Sequence, residues 1–141
     1  MKNYFAYGSN MNTAQVKERC SDHKVVGTGS LDGFRFIINS RGVATVIPME
    51  NRSVLGVIYE ISESDEANLD ANEGVDYGTY LKEQVHVQTG NEIRDCLIYI
   101  AADSELGRPR PGYLQKILGG AEAFNLAGEY IEELRSWQKP D

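Results

Sequence analysis

Short runs of strand-forming residues, separated by turn-forming residues, fill the stretch from position 24 to position 60. The runs span residues 25–26, 34–38, 43–47 and 54–59, with Gly, Asn, Ser or Pro between them. Apolar runs of this length and spacing are typical of a closed or strongly curved sheet. The glycines within the stretch predict bulges and corners of that sheet rather than a nucleotide-binding loop.

Helix and strand patterns on both sides of this stretch predict one α+β domain over residues 1–141. The predicted elements are a strand over 2–7, a helix from 12 or 13 to about 20, a helix that opens at 62 and stops before 74, strands over 80–88 and 93–101, and helical segments from 113 onward. Ser62 and Asp65 form a capping-box pattern, with Asp in place of Glu. The C-terminal helix is expected to pack against its own sheet.

Composition and charge exclude several classes of function. The formal net charge is −7, whereas binding to nucleic-acid phosphates requires a basic face. No apolar run approaches the roughly 20 residues of a membrane span, and the N-terminus lacks a signal-peptide pattern. Cys20 and Cys96 lack metal-type spacing, which indicates two free thiols in a reducing compartment. We therefore expect a cytoplasmic protein that binds neither nucleic acid nor membranes.

A loop near the N-terminus and one acidic residue predict a reaction site. The first strand breaks into Gly8, Ser9 and Asn10, and a helix-start pattern follows at once. Such a junction aims several backbone N–H groups at one point, which suits a carboxylate or an oxyanion. Glu73 lies at the end of a predicted helix, where the helix dipole raises the pKa of a carboxyl group and suits it to accept a proton. A solvated surface carboxylate is the alternative for Glu73.

Other catalytic and metal-binding patterns are missing from the sequence. Ser9 does not lie in a Gly-x-Ser-x-Gly elbow, and His86 falls in a strand, where it is predicted to be a cross-strand partner. One segment begins like a calcium loop but lacks Gly and the closing Glu at the required positions, so we predict no metal site. Arg108 and Arg110 are predicted to be solvated loop residues rather than anion ligands.

Two separated motifs resemble those of the γ-glutamylcyclotransferase family, whose fold is also called AIG2-like. The first motif is Tyr4-Phe5-Ala6-Tyr7-Gly8-Ser9-Asn10-Met11, and the second is Leu69-x-x-x-Glu73-Gly74-Val75-x-x-Gly78-x-Tyr80. The likeness extends to residues 42–45 and 54–59 and to Pro111-x-Tyr113-x-x-x-Ile117-x-x-Gly120-Ala121. It covers nearly the whole chain, in the family's order.

The resemblance implies a small mixed or antiparallel β-barrel flanked by short helices. It also implies that the protein releases 5-oxoproline from γ-glutamyl compounds without a metal or cofactor. Glu73 would then be the general acid/base, and Tyr113 would lie against the substrate. The γ-glutamyl group would bind to the N-terminal loop residues Tyr4, Phe5, Ala6, Tyr7, Gly8, Ser9 and Asn10. Whether the loop amides fix the α-carboxylate or stabilise the oxyanion stays open.

Two alternatives to an enzyme that acts on γ-glutamyl amino acids stay open. The leaving group could be a lysine side chain, a polyamine or another amine, because the pocket wall opposite Glu73 is not assigned. The protein could instead be a non-catalytic module that captures a carboxylate-bearing metabolite, although the presence of Glu73 favours an enzyme. The Arg-Pro loop at residues 108–111 is a candidate for the leaving-group side. We expect a monomer or a homodimer whose only partner is a small γ-glutamyl substrate.

Overall fold

The computed structural model describes residues 1–138, and a closed five-stranded barrel lies at its centre. The strands are β1 (Lys2–Ala6), β2 (Lys24–Ile38), β3 (Ala44–Ile61), β4 (Tyr80–Thr89) and β5 (Glu92–Ala101). Their order around the barrel is β1-β3-β2-β4-β5. Strands β1 and β5 are parallel where the barrel closes, and the other neighbouring pairs are antiparallel. The predicted α+β class and the small mixed barrel are confirmed. Residues 139–141 of the predicted domain lie outside the described residues.

The stretch predicted to hold four short strands forms two long ones, β2 and β3. The predicted breaks were wrong because a bulge bends a strand without ending it, whether at a glycine, as in β2, or at residues 49–52 of β3, where Asn51 has a φ of 64°. The register between β2 and β3 shifts between Val25 and Gly27 and again between Asp32 and Phe34, where Gly33 has a φ of 84°. The predicted bulges are confirmed at Gly27 and Gly33, whereas Gly29 and Gly56 pair with each other in regular register. These bends let strands of 15 and 18 residues follow the curvature of a small barrel.

In the described part of the chain, four α-helices accompany the barrel: α1 (Thr13–Arg19), α2 (Glu63–Asn72), α3 (Tyr113–Ala123) and α4 (Gly128–Arg135). The capping box predicted at the start of α2 is confirmed. Ser62 Oγ accepts a hydrogen bond from the N–H of Asp65, and the Asp65 carboxylate accepts one from the N–H of Ser62. The longest helix among residues 1–138 has 11 residues, and none has the length and apolar character needed to cross a membrane.

One apolar core joins the barrel to the C-terminal helices. It includes Phe5, Phe36, Ile58 and Leu97 from the strands and Leu114, Ile117 and Leu134 from α3 and α4. Trp137, just after α4, packs edge-on against Phe36 of β2, with ring centroids 6.4 Å apart. The expected packing of the C-terminal helix against its own barrel is confirmed.

Helix α3 packs closely against the loop that follows β1, at Gly120. A β-carbon built on Gly120 would lie 2.4 Å from the carbonyl carbon of Met11, which is too close for any side chain. Met11 is fully buried and ends a single 3₁₀ turn, Ser9–Met11. The absence of a side chain at Gly120 therefore sets the distance between α3 and this turn.

Replacing Gly120 with alanine should push α3 away from Met11. The free energy of unfolding should fall by about 1–3 kcal/mol, as overpacking typically causes. Gly119→Ala is the matched control, because the only atom near its new β-carbon is Asn12 Nδ2, 3.8 Å away. Alanine favours helix over glycine, so Gly119→Ala should raise the free energy of unfolding by up to about 1 kcal/mol. Urea unfolding measures both, and equal stabilisation by the two substitutions would contradict the close contact.

Candidate active site

A cavity of about 450 Å³ lies where β1 gives way to the N-terminal loop. Residues from this loop, the end of α2, the turn between β2 and β3 and the start of α3 line it. All but one of the predicted site residues are among them: Tyr4, Phe5, Tyr7, Gly8, Ser9, Asn10, Glu73 and Tyr113. Ala6 is buried and does not line the cavity. A volume of this size is ordinary for a small-molecule site.

The loop after β1 offers backbone N–H groups that have no protein acceptor. In the 3₁₀ turn, the N–H of Met11 donates to the carbonyl oxygen of Gly8 at 3.0 Å. Within residues 1–138, the N–H groups of Gly8, Ser9 and Asn10 donate to no protein oxygen. Unpaired N–H groups at the start of a helical turn create a positive potential. The loop can therefore receive an anionic group of a ligand.

The buried side chain of Asn10 holds this loop in place. Its Nδ2 donates to Tyr4 Oη at 3.0 Å, and its Oδ1 accepts from Gln15 Nε2 at 2.9 Å and from Arg19 Nη1 at 3.2 Å. Its carbonyl oxygen accepts from Tyr59 Oη at 3.0 Å. Because a buried amide is costly without partners, these bonds favour one loop conformation. Sequence reasoning missed Gln15 and Arg19; their position on the helix just after the motif was the only available signal.

Glu73 lies at the C-terminal end of α2, as predicted. Its N–H donates to the carbonyl oxygen of Leu69 at 2.8 Å, and Gly74 follows with a φ of 64°, which ends the helix. Its side chain is half-buried, and within residues 1–138 its carboxylate accepts no hydrogen bond. Burial raises the pKa of Glu73, and the positive charge of Arg19 opposes the shift. The predicted direction is confirmed, with burial as its main cause instead of the helix dipole.

Tyrosine hydroxyls form one wall of the cavity. Tyr113 Oη accepts from the N–H of Ala44 at 3.0 Å, and Tyr80 Oη donates to the carbonyl oxygen of Ala44 at 2.8 Å. Tyr7 Oη donates to the carbonyl oxygen of Tyr99. Burial raises the pKa of Tyr113 to about 12 and the pKa of Tyr7 well above its usual value, so both hydroxyls are neutral at pH 7. Tyr80 belongs to the second sequence motif, whereas no sequence signal indicated Tyr99.

Positively charged side chains also line the cavity. They belong to Arg19, Arg41, Arg110 and Lys116. Arg110 is exposed, as predicted, and it lines the cavity, in keeping with the expectation that the loop at residues 108–111 borders the site. Its Nε donates to the carbonyl oxygen of Arg41 at 2.8 Å, a contact between residues 69 positions apart that no local pattern reveals. Arg108 is exposed and does not line the cavity.

Residues considered for other chemistry lie away from the cavity. His86 on β4 pairs with Asp95 on β5, which confirms the predicted cross-strand pairing. Cys20 and Cys96 are buried and form no disulfide. In the part of the chain that the structure describes, no group of three or more His, Cys, Asp or Glu side chains is arranged to hold a metal ion.

Comparison with known proteins identifies relatives over almost the full chain. Residues 53–134 match the AIG2-like family. Human gamma-glutamylcyclotransferase is 32% identical over 150 aligned positions, which cover 98% of this chain and 79% of the human protein. The chain belongs to the γ-glutamylcyclotransferase family.

Solved structures share the γ-glutamylcyclotransferase fold of this chain. A structure named gamma-glutamyl cyclotransferase superimposes with a TM-score of 0.91 at 29% identity, and the match covers 99% of this chain and 89% of that one. The putative gamma-glutamylcyclotransferase YkqA of Bacillus subtilis is 32% identical over 140 positions, covering 94% of this chain and 50% of the Bacillus protein. Its crystal structure gives a TM-score of 0.83, covering 96% of this chain and 53% of that one. The resemblance carried by the sequence motifs is confirmed.

Burial of Glu73 predicts a pH-dependent difference in stability between this γ-glutamylcyclotransferase family member and its Glu73→Gln variant. A carboxyl group whose pKa is raised by folding destabilises the folded state once it ionises. Glu73→Gln should therefore have the higher free energy of unfolding at pH 7. The wild type should regain the difference as the pH falls through the raised pKa towards the ordinary value of 4.5. Denaturant unfolding at pH 7 and pH 4 tests this, and a difference that does not change with pH would contradict it.

Proposed function

We propose that this protein is a γ-glutamylcyclotransferase that releases 5-oxoproline and an amine or amino acid from γ-glutamyl compounds. One observation carries the proposal: the loop at residues 8–10 and Glu73, which are distant in sequence, line the same cavity. The names of the human and Bacillus relatives support the same reaction class. The reaction uses a base and an anion-binding group, and we propose that Glu73 and the amides of the loop at residues 8–10 supply them.

The reaction closes a five-membered ring within the substrate. The lone pair of the α-amine attacks the γ-carbonyl carbon, so a new C–N bond forms while the amide bond to the leaving group breaks. An α-ammonium group has no lone pair, so a base must first remove a proton. We propose that Glu73 takes this proton and gives it to the departing nitrogen. Glu73 then moves a second proton from the nitrogen that has attacked to the departing nitrogen. The ring nitrogen keeps one hydrogen, and the amine leaves as an ammonium ion.

The surroundings of Glu73 suit a group that alternates between base and acid. Burial favours its neutral form, whereas the charge of Arg19 favours the carboxylate. Within residues 1–138 no hydrogen bond occupies the carboxylate oxygens, so both are available to the substrate. A carboxyl group with a raised pKa accepts a proton more readily than an ordinary surface glutamate.

The remaining parts of the cavity would position the substrate. The unpaired N–H groups of Gly8, Ser9 and Asn10 can bind the α-carboxylate or the oxyanion that forms on the γ-carbonyl. A single hydrogen-bond donor to the oxyanion typically lowers the activation free energy by about 3 kcal/mol. Tyr113 would lie against the bent glutamyl chain. Holding amine and carbonyl together in this way should lower the barrier further, because an extended glutamyl chain must be folded before its two reacting groups meet.

Glu73→Gln keeps the shape of the side chain but removes the base. We expect 5-oxoproline formation from γ-glutamylalanine to fall by about 10²- to 10⁴-fold, with ligand binding retained. Mass spectrometry measures the product, and calorimetry measures binding to the variant. Asp76→Asn is the matched control, because Asp76 is an exposed carboxylate three positions away that does not line the cavity. It should keep normal turnover.

The same measurements separate the enzyme from the alternatives. If Glu73→Gln released 5-oxoproline as fast as the wild type, Glu73 would not be the base. Binding of γ-glutamyl ligands by the wild type without any 5-oxoproline would identify a non-catalytic binding module instead.

A further inference from the structure

The charge of the cavity is opposite to that of the whole protein. The formal net charge of the chain is −7, yet among residues 1–138 four cationic side chains line the cavity and Glu73 is the sole lining acid. None of the four cations makes an ion pair within residues 1–138. Elsewhere Lys2, Arg52, Lys82, Arg94 and Arg135 are all paired with carboxylates. The lining cations thus have charge available for a ligand.

Backbone contacts hold two of these cations, Arg41 and Arg110, side by side. We call them the arginine pair. The N–H of Arg110 donates to the carbonyl oxygen of Gly42 at 3.0 Å, and its Nε donates to that of Arg41 at 2.8 Å. Gly42 has a φ of 82°, and a β-carbon there would lie 2.7 Å from Arg110 Cγ. Only glycine at position 42 lets the turn that holds Arg41 approach the loop that holds Arg110 this closely. The backbone therefore fixes where the arginine pair lies beside the cavity.

The carbonyl oxygen of Arg110 accepts a hydrogen bond from the N–H of Tyr113 at 3.0 Å, whereas within residues 1–138 no hydrogen bond joins the arginine pair to the N-terminal loop or to Glu73. Arg19 bonds to Asn10 and is electrostatically coupled to Glu73, so it belongs with the N-terminal loop. Within residues 1–138 the Nη groups of both arginines of the pair donate to no acceptor. These free Nη groups can bind carboxylates.

We propose, on the basis of the cyclotransferase function above, that the arginine pair binds carboxylates of the leaving group. The preferred substrates are then γ-glutamyl derivatives of acidic amino acids, such as γ-glutamylglutamate. Its leaving group carries two carboxylates, one for each arginine. Lys116 adds a third positive charge at the same cavity. A polyamine would bring further positive charge to this rim and be repelled, so the arginine pair disfavours γ-glutamyl polyamines.

Four substrates that differ in the charge of the leaving group test the proposal on the wild-type protein. They are γ-glutamylglutamate, γ-glutamylalanine, γ-glutamylethylamide and γ-glutamylputrescine. We expect kcat/KM to fall in this order, by up to about fivefold for each lost charge contact at low ionic strength. High salt should reduce the differences, because the arginines are exposed. Equal kcat/KM values, or a preference for putrescine as leaving group, would overturn the inference while leaving the cyclotransferase intact. If none of the four substrates released 5-oxoproline, the proposed cyclotransferase function itself would be wrong.

Paired substitutions test the arginines directly. In Arg41→Gln/Arg110→Gln, the ratio of kcat/KM for γ-glutamylglutamate to that for γ-glutamylethylamide should fall by up to about 25-fold, because two charge contacts of up to about fivefold each are lost. Lys17→Gln/Lys24→Gln is the matched control, because it removes the same charge from exposed positions outside the cavity and should leave the ratio unchanged.

Charge reversal provides a test that a folding defect cannot imitate. Arg41→Glu/Arg110→Glu should raise turnover of γ-glutamylputrescine relative to γ-glutamylglutamate above the wild-type ratio. An equal loss with all four substrates would show that the arginines do not select the leaving group.

Discussion

The site depends above all on the buried amide of Asn10. Only 3% of this residue is exposed, and its side chain connects Tyr4 on β1 with Gln15 and Arg19 on α1. The carbonyl oxygen of the same residue binds Tyr59 on β3. One residue thus joins two strands and a helix, which restrains the turn around it. This restraint lets the loop keep unpaired N–H groups without collapsing onto a protein acceptor.

Glu73, just after α2, differs in its contacts from two acids on that helix. Glu66 and Asp70 on that helix bind Lys82, and Asp70 also accepts a hydrogen bond from Tyr99, at 2.7 Å. These contacts neutralise the two acids outside the cavity. Glu73, at the end of the helix, has no such partner among residues 1–138 and is half-buried instead. Two opposing effects, burial and the charge of Arg19, then act on its pKa.

Local chemistry explains which features the sequence predicted correctly. The capping box at Ser62, the end of α2 before Gly74 and the bulge at Gly33 all follow from residues close together in the chain. The strand breaks were wrong because sequence alone does not distinguish turn-forming residues that bend a strand, such as Gly33 and Asn51, from those that end it. The Asn10 contacts and the arginine pair were not predicted, since they join elements that only the closed barrel brings together.

The close contact between Gly120 and Met11 has a consequence for synthesis of the protein. The N-terminal loop leaves the ribosome long before α3 does, yet α3 supplies both Tyr113 and the surface that covers Met11. A nascent chain that ends before α3 therefore leaves an apolar side chain uncovered and has an incomplete pocket. The pocket of this fold is therefore complete only when nearly the whole polypeptide has emerged.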